Sequence, residues 1–190
     1  RLEMMLSDRY VDPIEEGFDV TLRVGAPSHS TSLAGRALAE IPVVLCAAPA
    51  YLAAADAPRD PGDLRLHRCL HYGYLASGSQ WRFREPNGAD RTVRINCVMW
   101  SNNGEVLRDA ALAGTGIALL PTFIVGDALA AGALVPLLRE YERPPLELTA
   151  LSPRHRQQAA KIALFTEFVA AELSLPSWLG SADQAGGAPA

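Results

Sequence analysis

The chain of 190 residues is 49% hydrophobic and 20% charged, and its formal net charge is −4. These values are those of a globular protein, and they exclude a fully disordered chain or a collagen-like fibre. No run reaches the ~18 uninterrupted apolar residues of a membrane-spanning helix, and the dispersed arginines argue against DNA binding by these residues alone.

Short strands and helices alternate along the chain, which indicates an α/β fold. In the first part, the apolar periodicity predicts strands at 2–6 and 18–24, separated by a short helix that Gly17 ends. The run at 41–47 is apolar throughout. Such a run is typical of a strand buried on both faces, as in a parallel sheet.

The same alternation continues after residue 47. Pro49 starts a short helix, and the turn residues at 86–90 predict an antiparallel pair of strands around them. The other elements expected in this part are strands at 70–74, 81–83, 92–98, 117–120, 134–138 and 146–151, and helices at 105–113, 123–131 and 161–173.

The order of these elements predicts two lobes. Residues 1–47 form the first part of lobe I, residues 48–145 form lobe II, and residues 146–179 return to lobe I. The low complexity of residues 180–190 predicts a disordered tail.

The cysteines and the N-terminus indicate the compartment. Cys46, Cys69 and Cys97 form no CxxC pair, and the N-terminus lacks the pattern of a signal peptide. We therefore expect reduced thiols in a cytoplasmic protein. Because Arg1 leads directly into a strand pattern, we also expect a further segment upstream in the native protein.

Four stretches of sequence follow one another in a characteristic order. They are Ser7–Asp12 with Glu16–Gly25, Ala47–Leu52 with Asp63–Leu64 and His67–Leu70, Ser101–Asn103 with Ala110–Pro121, and Gly132–Val135. Together they resemble the effector-binding domain of LysR-type bacterial transcriptional regulators.

The resemblance implies a fold similar to type 2 periplasmic binding proteins, with two α/β lobes around a cleft and a mixed sheet flanked by helices in each lobe. It implies a small-molecule effector in the cleft and a homodimer, which becomes a tetramer in the full-length protein. DNA is contacted only through an N-terminal winged helix-turn-helix that is absent here. In this family, lobe I opens with a strand and a helix that would precede Arg1. We expect no cofactor and no membrane partner.

Ser101, Asn102 and Asn103 are the main candidates for effector binding, because they precede a predicted helix. A helix N-terminus presents free N–H groups and the positive end of the helix dipole, which attract a carboxylate. In the fold that the resemblance implies, this helix start faces the cleft. Plain N-capping by one of the three residues is the alternative.

Further candidates flank the expected cleft. Arg23 ends a strand expected to be parallel, where it can pair with an anionic effector or form a structural ion pair. Gly25 and Ala26 begin a loop that is expected to shape the cleft wall. Thr115 lies between two glycines, which either allow a ligand close to the backbone or simply end the helix.

Metal and catalytic chemistry receive little support from the sequence. His67, Cys69 and His71 share one face of a predicted strand, but their spacing differs from zinc-binding patterns, so we expect no metal site. The chain has no Gly-x-Ser-x-Gly motif and no glycine-rich phosphate loop. We therefore expect no enzyme activity.

The sequence thus predicts an effector-binding domain of a LysR-type regulator, with a carboxylate or an aromatic compound as its ligand. Trp81, Phe83 and Trp100 can stack on an aromatic effector, and core packing is the alternative for all three. One rival function is that of a periplasmic solute-binding protein of a transporter. The other is an enzyme on the same fold, which would need a cluster of catalytic groups that the sequence does not reveal.

Overall fold

The computed structural model describes residues 2–9, 11–25, 31–73, 79–157 and 159–173. These residues form two compact units. The first comprises the described residues of Arg1–Ile41 and Leu146–Trp178, and the second comprises those of Pro42–Pro145. The chain thus leaves the first unit after Ile41, whereas the first part of lobe I was expected to extend to residue 47. The expected disordered tail at 180–190 lies outside the described residues.

The regular elements follow the alternation expected from the sequence. The strands are β1 (Thr21–Val24), β2 (Leu33–Ile41), β3 (Val43–Ala47), β4 (Arg68–Tyr72), β5 (Gln80–Arg84), β6 (Asp90–Arg94), β7 (Asn96–Ser101), β8 (Ile117–Pro121), β9 (Val135–Pro136) and β10 (Leu146–Pro153). The helices are α1 (Pro49–Ala55), α2 (Gly104–Leu112), α3 (Thr122–Ala130) and α4 (Ala160–Leu173), with 3-10 helices at Pro61–Arg65 and Arg154–Arg156.

The first unit contains a three-stranded sheet in the order β1-β10-β2. Both strand pairs are antiparallel, and α4 packs against β2. At its surface, Asp19 forms ion pairs with Arg156 and with Lys161, at 3.3 and 2.7 Å. The low pKa of the Asp19 carboxyl follows mainly from its hydrogen bond with Lys161.

Two predictions for the first unit were wrong. Residues 2–6 form no strand, and their apolar side chains remain exposed. The short helix expected before Gly17 is a pair of turns, in which Glu16 N–H donates to the Asp12 carbonyl and Phe18 N–H donates to the Pro13 carbonyl. Alternation of apolar and other residues is not enough to form a strand. A strand also needs a neighbouring strand that pairs with its backbone N–H and C=O groups.

The second unit is built on a five-stranded sheet in the order β7-β4-β8-β3-β9. Strand β4 is parallel to both β7 and β8, whereas β3 is antiparallel to β8 and β9. The expectation that 41–47 is one strand of a parallel sheet was therefore wrong. Pro42 separates β2 from β3, because proline lacks the N–H that a continuous strand pair requires.

Two apolar clusters pack in the second unit. Leu45 and Cys69 belong to one cluster, while their chain neighbours Cys46 and Leu70 belong to the other. Because successive side chains of a strand point to opposite faces, the two clusters lie on opposite faces of the sheet. Helices α2 and α3 contribute to the second cluster, and the β5–β6 pair contributes Trp81 and other side chains to the first.

The antiparallel pair predicted around residues 86–90 is confirmed by the pairing of β5 with β6. Gly88 adopts a φ of 85° in the turn, a conformation that glycine tolerates best. The expected strand at 92–98 is divided at Ile95, so that β6 pairs with β5 while β7 joins the larger sheet.

Candidate functional site

The carboxyl ends of three strands meet at one edge of the second unit. Strands β7, β4 and β8 are adjacent and parallel, and they end at Ser101, Tyr72 and Pro121. Helices α2 and α3 begin at this edge, at Gly104 and Thr122. We call this region the α2 edge. Ligands of open α/β sheets bind beyond the carboxyl ends of the strands.

Ser101 and Asn103 organise the start of α2. The Asn103 side-chain oxygen accepts a hydrogen bond from the backbone N–H of Val106 at 2.9 Å, which makes Asn103 the N-cap. The Ser101 hydroxyl accepts one from the Asn103 N–H at 3.0 Å. Asn102 lies half-buried between them. The capping interpretation therefore applies to Asn103, while the first N–H groups of α2 have no acceptor within the helix itself.

An exposed aromatic ring lies beside these residues. Trp100, which directly precedes Ser101 in β7, is 70% exposed. A Cβ atom at Gly73 would lie 2.6 Å from the Trp100 ring, and the Gly73 N–H donates to the Ser101 carbonyl. Glycine at position 73 thus lets the ring approach the end of β4. Sequence reasoning named Trp100 but missed Gly73, whose role depends on the pairing of two distant strands.

Thr122 adds a buried hydroxyl at the same edge. Its side chain is 1% exposed, and the hydroxyl has no hydrogen-bond partner in the described part of the chain. Its backbone N–H donates to the Pro42 carbonyl at 3.0 Å. No sequence signal marks this position beyond the strand predicted at 117–120, which precedes it.

Thr115 is not next to Asn103. The two residues flank opposite ends of α2, and nine helical residues span about 13 Å. Both neighbouring glycines have structural roles. Gly114 follows the helix with a φ of 73°, and a Cβ atom at Gly116 would meet the Arg68 carbonyl of β4. These roles account for both glycines without a ligand.

Arg23 and Gly25 lie in the first unit. Arg23 is half-buried in β1, opposite Thr149 of β10. Since β1 pairs antiparallel with β10, the expectation that Arg23 ends a parallel strand was wrong. The Gly25 N–H donates to the Glu147 carbonyl at 2.9 Å, which extends this pairing. Ala26 lies outside the described residues.

His67, Cys69 and His71 are held by other side chains and by the backbone. His67 Nδ1 and the Tyr51 hydroxyl are 3.2 Å apart, and the Cys69 thiol donates to the Leu64 carbonyl. Burial raises the pKa of the Cys69 thiol to about 12. Within the described ranges, no group of three or more His, Cys, Asp or Glu side chains could hold a metal ion.

The buried His71 belongs to the core rather than to a site. Its Nδ1 accepts a hydrogen bond from Trp81 Nε1 at 3.2 Å, and burial lowers the pKa of the ring. Trp81 and Phe83 are almost fully buried, which supports the packing alternative for both aromatic residues. Among the three aromatic candidates, Trp100 alone has an accessible ring.

An α/β domain with strand ends and helix N-termini at one edge has the architecture of a small-molecule-binding domain. The family model "LysR substrate binding domain" matches residues 1–174. The chain therefore belongs to the LysR substrate-binding domain family, and the resemblance seen in the sequence is confirmed.

Curated relatives agree with this assignment. An HTH-type transcriptional regulator of Haemophilus influenzae is 34% identical over 161 residues, covering 85% of this chain and 55% of the relative. The HTH-type transcriptional regulator YhjC of Escherichia coli is 33% identical over 178 residues, covering 89% of this chain and 56% of the relative. The chain thus spans about half the length of these curated relatives.

Solved structures show the same fold. The regulatory domain of CrgA, a LysR-type transcriptional regulator from Neisseria meningitidis, superposes with a TM-score of 0.72 at 28% identity, covering 84% of this chain and 78% of that one. The Vibrio cholerae virulence activator AphB superposes with a TM-score of 0.73 at 28% identity, covering 90% and 57%. The predicted fold class, α/β and similar to type 2 periplasmic binding proteins, is confirmed.

The same comparisons bear on the rival functions. The relatives are named transcriptional regulators, which favours a regulatory domain over a transporter's solute-binding protein. Their family is one of regulators rather than enzymes. In the described segments, no helix has both the length and the apolar character that crossing a bilayer requires.

Proposed function

We propose that the chain is the effector-binding domain of a bacterial LysR-type transcriptional regulator, and that a small carboxylate or aromatic compound binds at the α2 edge. The observation that carries the proposal is the convergence of three parallel strand ends with the N-termini of α2 and α3. Family membership over residues 1–174 supports the regulatory role.

The chemistry of the α2 edge suits a carboxylate with an apolar or aromatic body. The first N–H groups of α2 can donate hydrogen bonds to a carboxylate, and the helix dipole favours negative charge there. Asn103 and Ser101 hold the helix start in place through their own hydrogen bonds. The exposed ring of Trp100 offers a face on which an aromatic ligand can stack.

In the full-length regulator, effector binding is coupled to DNA binding. We propose that the effector favours one of two domain arrangements in a cytoplasmic homo-oligomer, a dimer or tetramer. An N-terminal winged helix-turn-helix outside these residues contacts the operator. A ligand shifts such an equilibrium only by its differential affinity for the two arrangements. Contacts of the effector with Arg23, Gly25, Ala26 and Thr115 stay predictions.

A calorimetric titration tests the site. A thermal-shift screen of carboxylates with and without an aromatic ring selects the ligand, and Asn102→Ala/Asn103→Ala is then compared with the wild-type chain. We expect at least about tenfold weaker binding, because the double variant removes the Asn102 amide, which can donate a hydrogen bond to a carboxylate, and the Asn103 cap that holds the helix start in place. Asn103→Ser is the matched control, because serine keeps a capping oxygen. Unchanged affinity in the double variant would refute the site.

A further inference from the structure

A groove lies in the second unit, at the opposite end of β7 from the α2 edge. It has a volume of about 660 Å³. Asn96, which begins β7, lines the groove, whereas Ser101 ends the strand. Five steps along a strand span about 17 Å, so the two regions are separate. The groove runs between the 3-10 helix Pro61–Arg65 and strand β6.

Arg91 fixes the walls of this groove. Its guanidinium bridges Asp60 at 3.2 Å and Glu85 at 3.3 Å, and so ties the β5–β6 pair to the start of the 3-10 helix. A Cβ atom at Gly62 would lie 2.8 Å from Arg91 Nη2, so glycine allows this close approach. Arg91 is thus a structural cation whose charge is balanced by two carboxylates.

The remaining two arginines of the groove differ from Arg91. Arg65 and Arg94 are exposed, and neither forms an ion pair with any carboxylate of the described residues. Two uncompensated positive charges therefore line one groove in a chain whose net charge is −4. Ser79, Thr92 and Asn96 add polar groups to the same lining.

We propose that this groove binds a small molecule with two oxyanion groups, one at Arg65 and one at Arg94. The planar guanidinium matches the geometry of both carboxylate and phosphate, so either group can serve as the oxyanion. Its volume is within the range of small-molecule sites, roughly 300–1,000 Å³. This site is independent of the effector site at the α2 edge.

Isothermal titration calorimetry with citrate and with pyrophosphate as probes tests the proposal. We expect saturable binding of at least one probe to the wild-type chain. Arg65→Gln/Arg94→Gln should weaken it by about tenfold or more, because charge-assisted hydrogen bonds are lost. Both side chains are exposed, so the variant keeps its fold, which thermal melting checks. The probe that binds more tightly identifies carboxylate or phosphate as the preferred group.

Two control variants test whether the probes bind in this groove. Arg82→Gln removes an exposed charge from β5 outside the groove lining, and it should leave the affinity unchanged. Asn102→Ala/Asn103→Ala should also leave it unchanged, which distinguishes the groove from the effector site. The proposal is overturned if neither probe binds at millimolar concentration, or if Arg82→Gln weakens binding as much as the groove variant does.

Discussion

The two units bury their apolar residues differently. In the second unit, β3, β4 and β8 are covered on both faces by separate clusters. In the first, the described strands form one antiparallel sheet, while the apolar side chains of residues 2–6 stay exposed, Leu6 by 90%. An alternating apolar pattern is therefore not enough to form a buried strand, because a strand also needs a neighbour that satisfies its backbone N–H and C=O groups.

The largest expected effect lies in the doubly covered sheet. Leu107 of α2 is fully buried in the cluster that also contains Leu70 and Leu120. Leu107→Ala should lower the free energy of unfolding by about 2–5 kcal/mol, through lost burial and a residual cavity. Urea denaturation followed by circular dichroism measures this loss.

The adjacent residue provides the control for that prediction. Val106 is 46% exposed on the same helix, so Val106→Ala should change stability by less than about 0.5 kcal/mol. A loss below about 1 kcal/mol for Leu107→Ala would show that the second unit is less tightly packed than its burial indicates.

Helices α1 to α4 were predictable from the sequence because their end signals are local, whereas the short helix expected before Gly17 was not formed. Asn103 caps α2, and Gly114, one of the two glycines expected to end that helix, follows it with a positive φ. Gly132 follows α3 in the same conformation. The direction of β3 was not predictable, since an apolar run looks the same in a parallel and an antiparallel pair. Residues 2–6 show the same limit, because the pattern contains no information about a neighbouring strand.

The candidate site was predictable in part for similar reasons. Residues 101–103 precede a helix, and the local pattern shows this directly. The contributions of Gly73 and Thr122 depend on strands that are distant in the chain, so local reasoning missed them. Thr115 was predicted from its two flanking glycines, but it lies at the opposite end of α2 from Asn103, and a helix separates its two ends by its full length.

A half-buried arginine of the second unit gives the next prediction. Arg143 of the second unit lies over the Phe83 ring at 4.8 Å, and its Nη1 donates to the Tyr141 carbonyl at 3.4 Å. Its Nε and Nη2 atoms are buried without hydrogen-bond partners in the described structure. Burial lowers the pKa of Arg143 to about 10. Arg143→Met should raise the free energy of unfolding by about 1–3 kcal/mol, because a poorly compensated buried cation is removed.

Chemical denaturation at neutral pH measures the effect of Arg143→Met. The exposed Arg82→Met serves as the control and should be close to neutral. If Arg143→Met lowers stability instead, the contact with Phe83 outweighs the cost of burying the guanidinium.

The dense packing of the second unit should also make its stability depend on pH through His71. Burial holds the pKa of this ring below 6.5, so the unfolded state takes up a proton first as the pH falls below 6.5. Stability is therefore lost on acidification, by at most about 1.4 kcal/mol at one pH unit below that value. The neutral ring is also the form that accepts the hydrogen bond from Trp81.

His71→Gln should flatten this pH dependence. Glutamine offers an acceptor to Trp81 Nε1 but does not titrate. The measurement compares the unfolding free energies at about pH 7.5 and about pH 5.5, on either side of the ordinary histidine pKa, for this variant and the wild-type chain. The exposed His155→Gln should retain the wild-type slope. An equal slope in wild type and His71→Gln would assign the acid sensitivity to other groups.

The smallest expected effect tests the first unit directly. If residues 2–6 contribute no buried apolar surface, Leu6→Ser should change the unfolding free energy by less than about 0.5 kcal/mol. The matched change Leu151→Ser, in central strand β10, should cost several times more, because Leu151 is 3% exposed. Denaturation of both variants at one protein concentration measures the contrast. A large loss for Leu6→Ser would mean that this segment is covered in solution, and the contrast between the two units would then disappear at this point.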